Sequence, residues 1–250
     1  MAMTALNRKL LRDLWAMRGQ ALAIAAVIAG GLATLVMSLS TYDSLFTTRD
    51  RFYREYRFAE VFASLKRAPE ALAPRLAEIP GVERLETRVV AIVKLEVAGF
   101  ANPVTGVLAS LPDVGPPLLN ALHLKRGRWI NPYSGDEALV SDTFADAHGL
   151  RPGDRIHAIV NGRKKALTLV GVALSPEYVY QIAPGAMFPD FKRYGVLWMA
   201  RNALGIAYDM KGAFNQVSLT LARDANEQDV IDRVDAILAD YGGTGAYGRK

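Results

Sequence analysis

The chain of 250 residues is 51% hydrophobic and 22% charged, a balance that fits a globular protein carrying one membrane helix. Its net charge of +5 is modest, and its basic residues form no stripe interleaved with aromatic residues, so no nucleic-acid partner is expected. Cysteine is absent from the sequence, which excludes disulfides, thiolate catalysis and cysteine-ligated zinc or iron–sulfur centres.

The uncharged segment 19–42, GQALAIAAVIAGGLATLVMSLSTY, predicts a transmembrane helix. At about 1.5 Å per residue it covers ~36 Å, enough for a hydrocarbon core about 30 Å thick. A buried helix of a soluble domain is one alternative, but helices of this length seldom lack a polar face. A cleaved signal peptide is another, although its apolar region usually spans about 7–15 residues and ends at an A-x-A-like site. We therefore predict an uncleaved anchor.

The segment 1–18 is predicted to be a cytoplasmic amphipathic helix that lies in the membrane interface, because its large apolar residues share one helical stripe. Basic residues before the span favour a cytoplasmic N-terminus, although four arginines between 49 and 57 weaken this charge rule. Within the span, Ala25, Ala29 and Ala33 have the spacing that lets another membrane helix approach closely. We therefore expect an extracytoplasmic domain and helical partners in the membrane.

Beyond the span, residues 43–57 are predicted to continue the helix as a stalk, and strands then alternate with helices. The alternation of Val89, Ala91, Val93, Leu95 and Val97 is the clearest strand signal. The predicted strands are 60–66, 82–97, 104–111, 138–140, 155–160, 165–172, 196–199 and 215–221. The predicted helices are 69–79, interrupted near Pro74, then one from Ser141 or Asp142 to His148, then 201–208, and 225–241 with Asp224 as its N-cap. Asn161-Gly162 predicts a hairpin turn, and 175–195 is predicted to be irregular.

These elements predict an α+β fold in which one N-terminal transmembrane helix precedes a two-lobed extracytoplasmic domain. A split βαβ lobe, which the family resemblance given below makes porter-like, would contain an inserted small β-rich lobe. The predicted boundaries are 58–112 and 191–241 for the split lobe, 113–190 for the inserted lobe, and 242–250 for a tail, which the same resemblance implies leads to a second transmembrane helix.

No catalytic, cofactor-binding or metal-binding residue is predicted, and the chain is not expected to be an enzyme. His123, His148 and His157 share no metal-ligand spacing and are interpreted as structural or surface residues. The sequence has no nucleophile elbow, zinc-protease pair or phosphate-binding loop. Four carboxylates flank a turn and a helix start, where caps and solvated residues are expected: Asp136, Glu137, Asp142 and Asp146.

Several stretches taken together resemble a known family. They are LWAMRGQALAIAAVIAGG, IPGVERLETR, LKRGRWI and, most specifically, EALVSDTFADAHGLRPGDRI followed by NGRKKALTLVGVA. In order and spacing they resemble the N-terminal portion of FtsX-like ABC transporter permeases with a MacB-like periplasmic domain, a family that includes macrolide and lipoprotein transporters. The resemblance covers essentially the whole chain.

The resemblance implies a permease subunit of the inner membrane, with residues 43–250 in the periplasm. Its periplasmic domain would couple ATPase-driven helix motion to the handling of hydrophobic or lipid-linked cargo. The implied partners are a separate or fused ABC ATPase subunit, further permease helices, a second permease copy and the lipid bilayer. Family members continue into further membrane helices, so this sequence is expected to be the N-terminal portion of a longer permease or a truncated reading frame. The alternative is a single-pass anchored sensor or adaptor whose outer domain binds a ligand or protein.

Overall fold

A single long helix, α1, runs from Arg18 to Glu55 in the computed structural model, which describes residues 9, 12–13, 15–179, 181–182 and 185–249, without the side chain of Ala21. The helix includes both the predicted span and most of the predicted stalk. Its large apolar side chains are exposed, Val27 by 75% and Met37 by 73%. Among the described residues, α1 is the one helix long and apolar enough to cross a membrane. The amphipathic segment predicted for 1–18 lies largely outside the described residues.

The first of two sheets has four strands in the order β11-β1-β10-β2, and each neighbouring pair is antiparallel. Because β10 lies between β1 and β2, the topology is a split βαβ arrangement. The strands are β1 (Val61–Pro69), β2 (Val82–Arg88), β10 (Ala213–Leu221) and β11 (Ala246–Gly248). One face packs against two helices, α2 (Ala73–Ala77, after a 3-10 turn at Glu70–Leu72) and α5 (Glu227–Leu238, continued by a 3-10 turn at Ala239–Tyr241).

The second sheet has seven strands in the order β5-β8-β6-β9-β4-β3-β7. Strand β7 pairs with β8 as well as with β3, so six strands close a ring and β5 is added to it at β8. The strands are β3 (Val90–Glu96), β4 (Val104–Leu111), β5 (His123–Gly127), β6 (Glu137–Ser141), β7 (Arg155–Val160), β8 (Arg163–Leu174) and β9 (Tyr194–Ala200). Helices α3 (Asp142–His148) and α4 (Arg201–Ala207) follow β6 and β9.

Two apolar clusters fill the two sides of this ring. One takes side chains from all six ring strands, including the fully buried Leu108, Leu167 and Leu197. At its centre Gly106 has no room for a side chain, because a Cβ there would lie 2.6 Å from Leu95 Cδ1. The other cluster surrounds Trp198 and is covered by side chains from the segments around β5 and after β8.

The strand predicted for 82–97 is two strands, which separate at Val89 and enter different sheets. The alternating burial of Val89, Val93, Leu95 and Val97 agrees with the prediction. Strands β3, β4 and β9, predicted to belong to the porter-like lobe, instead lie in one sheet with the strands of the predicted insert, to which β3 and β9 pair directly. The sheets therefore divide the chain at Val89 and after β9, rather than at residues 112 and 190. Alternation reports which face of a strand is buried, but not which sheet the strand joins.

The structure also tests the predicted helix caps, the hairpin turn and the C-terminal tail. The cap of α5 is Asn226, not Asp224, because the Gln228 amide donates to Asn226 Oδ1. Ser141 precedes α3, but its hydroxyl donates to Gln181 instead of capping the helix. The hairpin turn at Asn161-Gly162 is confirmed, with both residues at positive φ. The predicted tail contains β11, which adds an edge strand to the four-stranded sheet.

Candidate functional site at the end of the long helix

Helix α1 ends in a Schellman motif with an arginine where glycine is common. The Phe58 amide donates to the Tyr53 carbonyl at 2.9 Å, and the Arg57 amide donates to the Arg54 carbonyl at 3.2 Å. Arg57 has φ +49°, the left-handed conformation that this motif requires. The rings of Phe58 and Tyr53 lie 4.8 Å apart, which supplies the hydrophobic contact that accompanies such an ending.

The loop 117–121 is bonded directly to this helix end. Its Asn120 and Ala121 amides donate to the carbonyls of Arg57 and Tyr56 at 2.9 and 2.8 Å. In return, the Arg57 guanidinium donates to the Pro117 carbonyl at 2.9 Å. These three bonds connect the last residues of the helix region to the loop before β5.

The C-terminal strand returns to the same place. The Arg249 guanidinium lies over the rings of Tyr53 and Phe58, at 5.3 and 5.2 Å from their centroids. Phe58 contacts Phe62 at 5.8 Å, and Phe62 stacks on Tyr247 at 5.7 Å. The chain therefore enters this domain at Tyr53 and reaches Arg249 on the same side of it.

A buried ion pair lies next to the loop, on the face of the four-stranded sheet opposite its helices. Arg88 is only 6% exposed. It donates to both carboxylate oxygens of Glu177, at 2.6 and 2.8 Å, and to Gln216 and Ser218 at 2.6 and 3.2 Å. Burial alone would lower the pKa of Arg88, but the adjacent Glu177 carboxylate raises it, so the arginine stays charged.

Asn120 joins the ion pair to the helix end. Its Oδ1 accepts the Ala59 amide at 2.9 Å, and its Nδ2 donates to Glu177 at 3.1 Å. A second buried carboxyl group lies close by, because Glu86 Oε2 accepts the Leu119 amide at 2.6 Å. Burial, the largest influence, raises the pKa of Glu86, and the Leu119 amide and nearby arginines oppose that shift. The two carboxyl groups are thus held by neighbouring residues of one loop.

The segment that carries Glu177 also touches the seven-stranded sheet. Tyr178 is half-buried and its ring meets Trp198 edge-on, with centroids 6.2 Å apart. Burial, followed by the neighbouring Glu177, raises the pKa of Tyr178 well above its ordinary value. Where β2 passes into β3, the side-chain amide of Asn215 bonds both the amide and the carbonyl of Val90, each at 2.8 Å. The helix end, both sheets and two loops therefore meet in one polar region.

The three histidines and four carboxylates considered in the sequence analysis do not come together in one site. The Tyr56 hydroxyl contacts His123 Nδ1 at 2.7 Å, and the carbonyl of Lys192 contacts His148 Nε2 at 2.9 Å, while His157 is exposed on β7. Three of the four carboxylates form ion pairs with basic residues of β5 and the residue after it: Lys125–Asp142, Arg126–Asp146 and Arg128–Glu137. Within the part of the chain that the structure describes, no three His, Asp or Glu residues are placed to hold a metal ion.

A surface groove of about 390 Å³ lies beside the loop 117–121. Its walls are mostly apolar and rich in proline: Leu111, Pro112, Pro116, Pro117, Trp129, Ile130 and Pro132. Both carboxylate oxygens of Asp113, the acidic residue of the wall, accept the Asn202 amide. The chemistry of the groove suits an uncharged group.

Sequence reasoning missed the polar region completely. Arg88 and Glu177 are 89 positions apart, and no spacing pattern links them. The one usable signal is that Arg88 ends β2, two residues before the strongly alternating strand β3, where the chain changes sheets.

The structure thus describes a mixed α+β domain with one N-terminal apolar helix, an arrangement that fits a membrane-anchored protein. No family model matches the chain, and no curated protein matches it.

Solved structures similar to the chain are periplasmic or extracellular domains of ABC-type transporter permeases. The extracellular domain of the noncanonical ABC-type transporter YknZ from Gram-positive bacteria is 13% identical, with a TM-score of 0.45 over 77% of this chain and 99% of that one. The periplasmic region of MacB from Actinobacillus actinomycetemcomitans is 9% identical, with a TM-score of 0.46 over 78% and 91%. A domain from a Porphyromonas gingivalis protein described as a permease is 14% identical, with a TM-score of 0.41 over 78% and 91%. At these scores the functional proposal rests on the chain's own residues.

Proposed function

We propose that the chain is a membrane-spanning permease subunit of an ABC transporter. In this proposal α1 crosses the inner membrane with its N-terminus in the cytoplasm, and residues 43–250 lie in the periplasm. Further permease helices, a second permease copy and a separate ABC ATPase subunit complete the machine. The domain couples ATPase-driven helix motion to the handling of hydrophobic or lipid-linked cargo.

The observation that carries the proposal is the contact of Arg249 with Tyr53 and Phe58 at the end of α1. A chain that leaves the domain after Arg249 starts beside Tyr53 and Phe58, the residues by which it entered the domain. This is the geometry that a domain inserted between two membrane helices needs. The exposed apolar surface of α1 and the sequence resemblance over the whole chain support the same assignment.

The orientation is testable because the chain contains no cysteine. Tyr133 is 94% exposed, so Tyr133→Cys should react with a membrane-impermeant maleimide once the outer membrane is permeable. Lys9→Cys is the matched control, and it should react only after the inner membrane is disrupted. The reverse pattern would overturn the proposed topology.

The transporter role is tested by isolating the protein from native membranes in mild detergent. An ABC ATPase subunit is expected in fixed stoichiometry, together with vanadate-sensitive ATP hydrolysis. Isolation without any such subunit would contradict the permease role. That result would favour an anchored sensor or adaptor, for which the apolar groove at Pro112–Pro132 is the specific supporting feature.

A further inference from the structure

Two carboxyl groups lie near the buried Arg88: Glu86, which is buried, and Glu177, whose side chain is 11% exposed. Glu86 and Arg88 are two residues apart on β2, so their side chains leave the same face of the sheet. In the register of the sheet, Ser218 is directly opposite Glu86, and the Arg88 guanidinium already donates to Ser218 at 3.2 Å. The guanidinium therefore reaches toward Glu86 while its strongest bonds go to Glu177.

The loop 117–121 keeps the two carboxyl groups apart. The Leu119 amide holds Glu86, and the Asn120 side chain holds Glu177, so adjacent residues occupy both acceptors. The backbone amides of Asn120 and Ala121 are meanwhile bonded to the end of the helix region. A movement of the helix end that withdraws this loop removes a donor from each carboxyl group at once.

We propose that Arg88 is the centre of a two-position latch, which exchanges Glu177 for Glu86 when the loop 117–121 moves with the end of α1. In the first position Arg88 binds Glu177 and fastens the segment 175–179 to the four-stranded sheet. In the second position Arg88 binds Glu86, the Leu119 amide is released, and the segment 175–179 keeps its attachment to the seven-stranded sheet, through β8 and Tyr178, without its bond to Arg88.

The latch has two discrete positions because a buried guanidinium without a carboxylate is costly, whereas either carboxylate satisfies it. Bonds of this kind are short and directional, so intermediate positions are disfavoured. The exchange alters which loop is fastened to which sheet while both hydrophobic cores stay intact. It is a property of the domain and is independent of the identity of any transporter partner.

Hydrogen exchange on the full chain in lipid nanodiscs tests the latch. Glu177→Gln should shift Arg88 to Glu86 and accelerate exchange at least tenfold at the amides of 118–121 and 177–179. Amides of the central strand β10 should keep their native rates. Glu137→Gln is the matched control, because Glu137 forms a similar two-bond pair with the exposed Arg128 and should leave these segments unchanged.

The double variant Glu86→Gln with Glu177→Gln distinguishes the proposed exchange of partners from an Arg88–Glu177 pair that only stabilises the fold. The double variant leaves Arg88 without a carboxylate, so hydrogen exchange should accelerate at least a hundredfold along β10 as well. That acceleration should far exceed the product of the accelerations measured in Glu86→Gln alone and in Glu177→Gln alone. Native rates in Glu177→Gln, or acceleration spread evenly over the whole sheet, would overturn the proposal.

A second single variant keeps the proposal testable if Glu177→Gln does not fold. Asn120→Gly removes the side chain that holds Glu177 and suits the left-handed backbone of this residue, which has φ +50°. It should reproduce the local acceleration at 177–179 with β10 unchanged. Native exchange at 177–179 in Asn120→Gly would contradict the latch independently of the permease role, which the isolation experiment tests.

Discussion

Replacing Arg88 by methionine removes the cation on which two buried carboxyl groups depend. The arginine makes four hydrogen bonds, and its side chain is 8% exposed while that of Glu177 is 11% exposed. Methionine fills a similar volume but leaves Glu177 without the partner of its ion pair, and it leaves Glu86 with only the weaker influence of Arg201 and Arg57. Removing one member of a buried pair costs about 3–5 kcal/mol, so we expect a loss of that size in the free energy of unfolding.

The matched control is Arg128→Met. Arg128 also makes two bonds to one carboxylate, Glu137, at 2.8 and 2.6 Å, but its own side chain is 60% exposed. Water can replace the lost partner there, so the expected cost is below about 1 kcal/mol. Urea unfolding of the full chain in detergent, followed by tryptophan fluorescence, compares the two variants, because Trp198 is buried beside the affected segment.

The pH dependence gives this prediction a second readout. Without Arg88 the raised pKa of Glu86 should rise further, because that arginine lowers it in part. A carboxyl group whose folded pKa lies above its unfolded pKa binds a proton more tightly in the folded state, so lowering the pH stabilises the fold. The deficit of Arg88→Met should therefore shrink as the pH falls toward 5. Equal losses in the two variants, or a deficit that grows in acid, would refute the reasoning.

Three further predictions use the same unfolding assay. Because the pKa of Glu86 is raised in the folded state, native stability should fall as the pH rises from about 4.5, the ordinary pKa of the group, through its pKa in the folded state. Glu86→Gln should reduce this dependence of stability on pH. An unaltered pH dependence would mean that other groups cause it. Gly106→Ala should cost about 1–3 kcal/mol, because its Cβ would overlap Leu95 in the closed ring; a neutral result would mean that the ring expands easily. Gly162→Ala should cost about 1 kcal/mol, because the backbone there is left-handed, with φ +75°, while the space around the new Cβ is open. A cost as large as that of Gly106→Ala would contradict the distinction between backbone strain at Gly162 and steric overlap at Gly106.

Much of the secondary structure was predictable because it depends on local spacing. Strand β4 has the bounds 104–111 in both the prediction and the structure, and α3 begins and ends where Asp142 and Gly149 indicate. The hairpin between β7 and β8 follows from Asn161-Gly162, since both residues accept positive φ. Such features need only neighbouring residues, so a single sequence contains them.

The long apolar helix, the absence of cysteine and the strand and helix periodicities were determined by the sequence itself, because each is a property of composition or of residues a few positions apart. Only the tertiary structure decided that the chain changes sheets at Val89, and that β7 closes the ring against β8. It also decided that Arg88 meets Glu177, since contacts between residues 89 positions apart depend on how whole elements pack. The candidate site is made of such long-range contacts, and for that reason no pattern in the sequence indicated it.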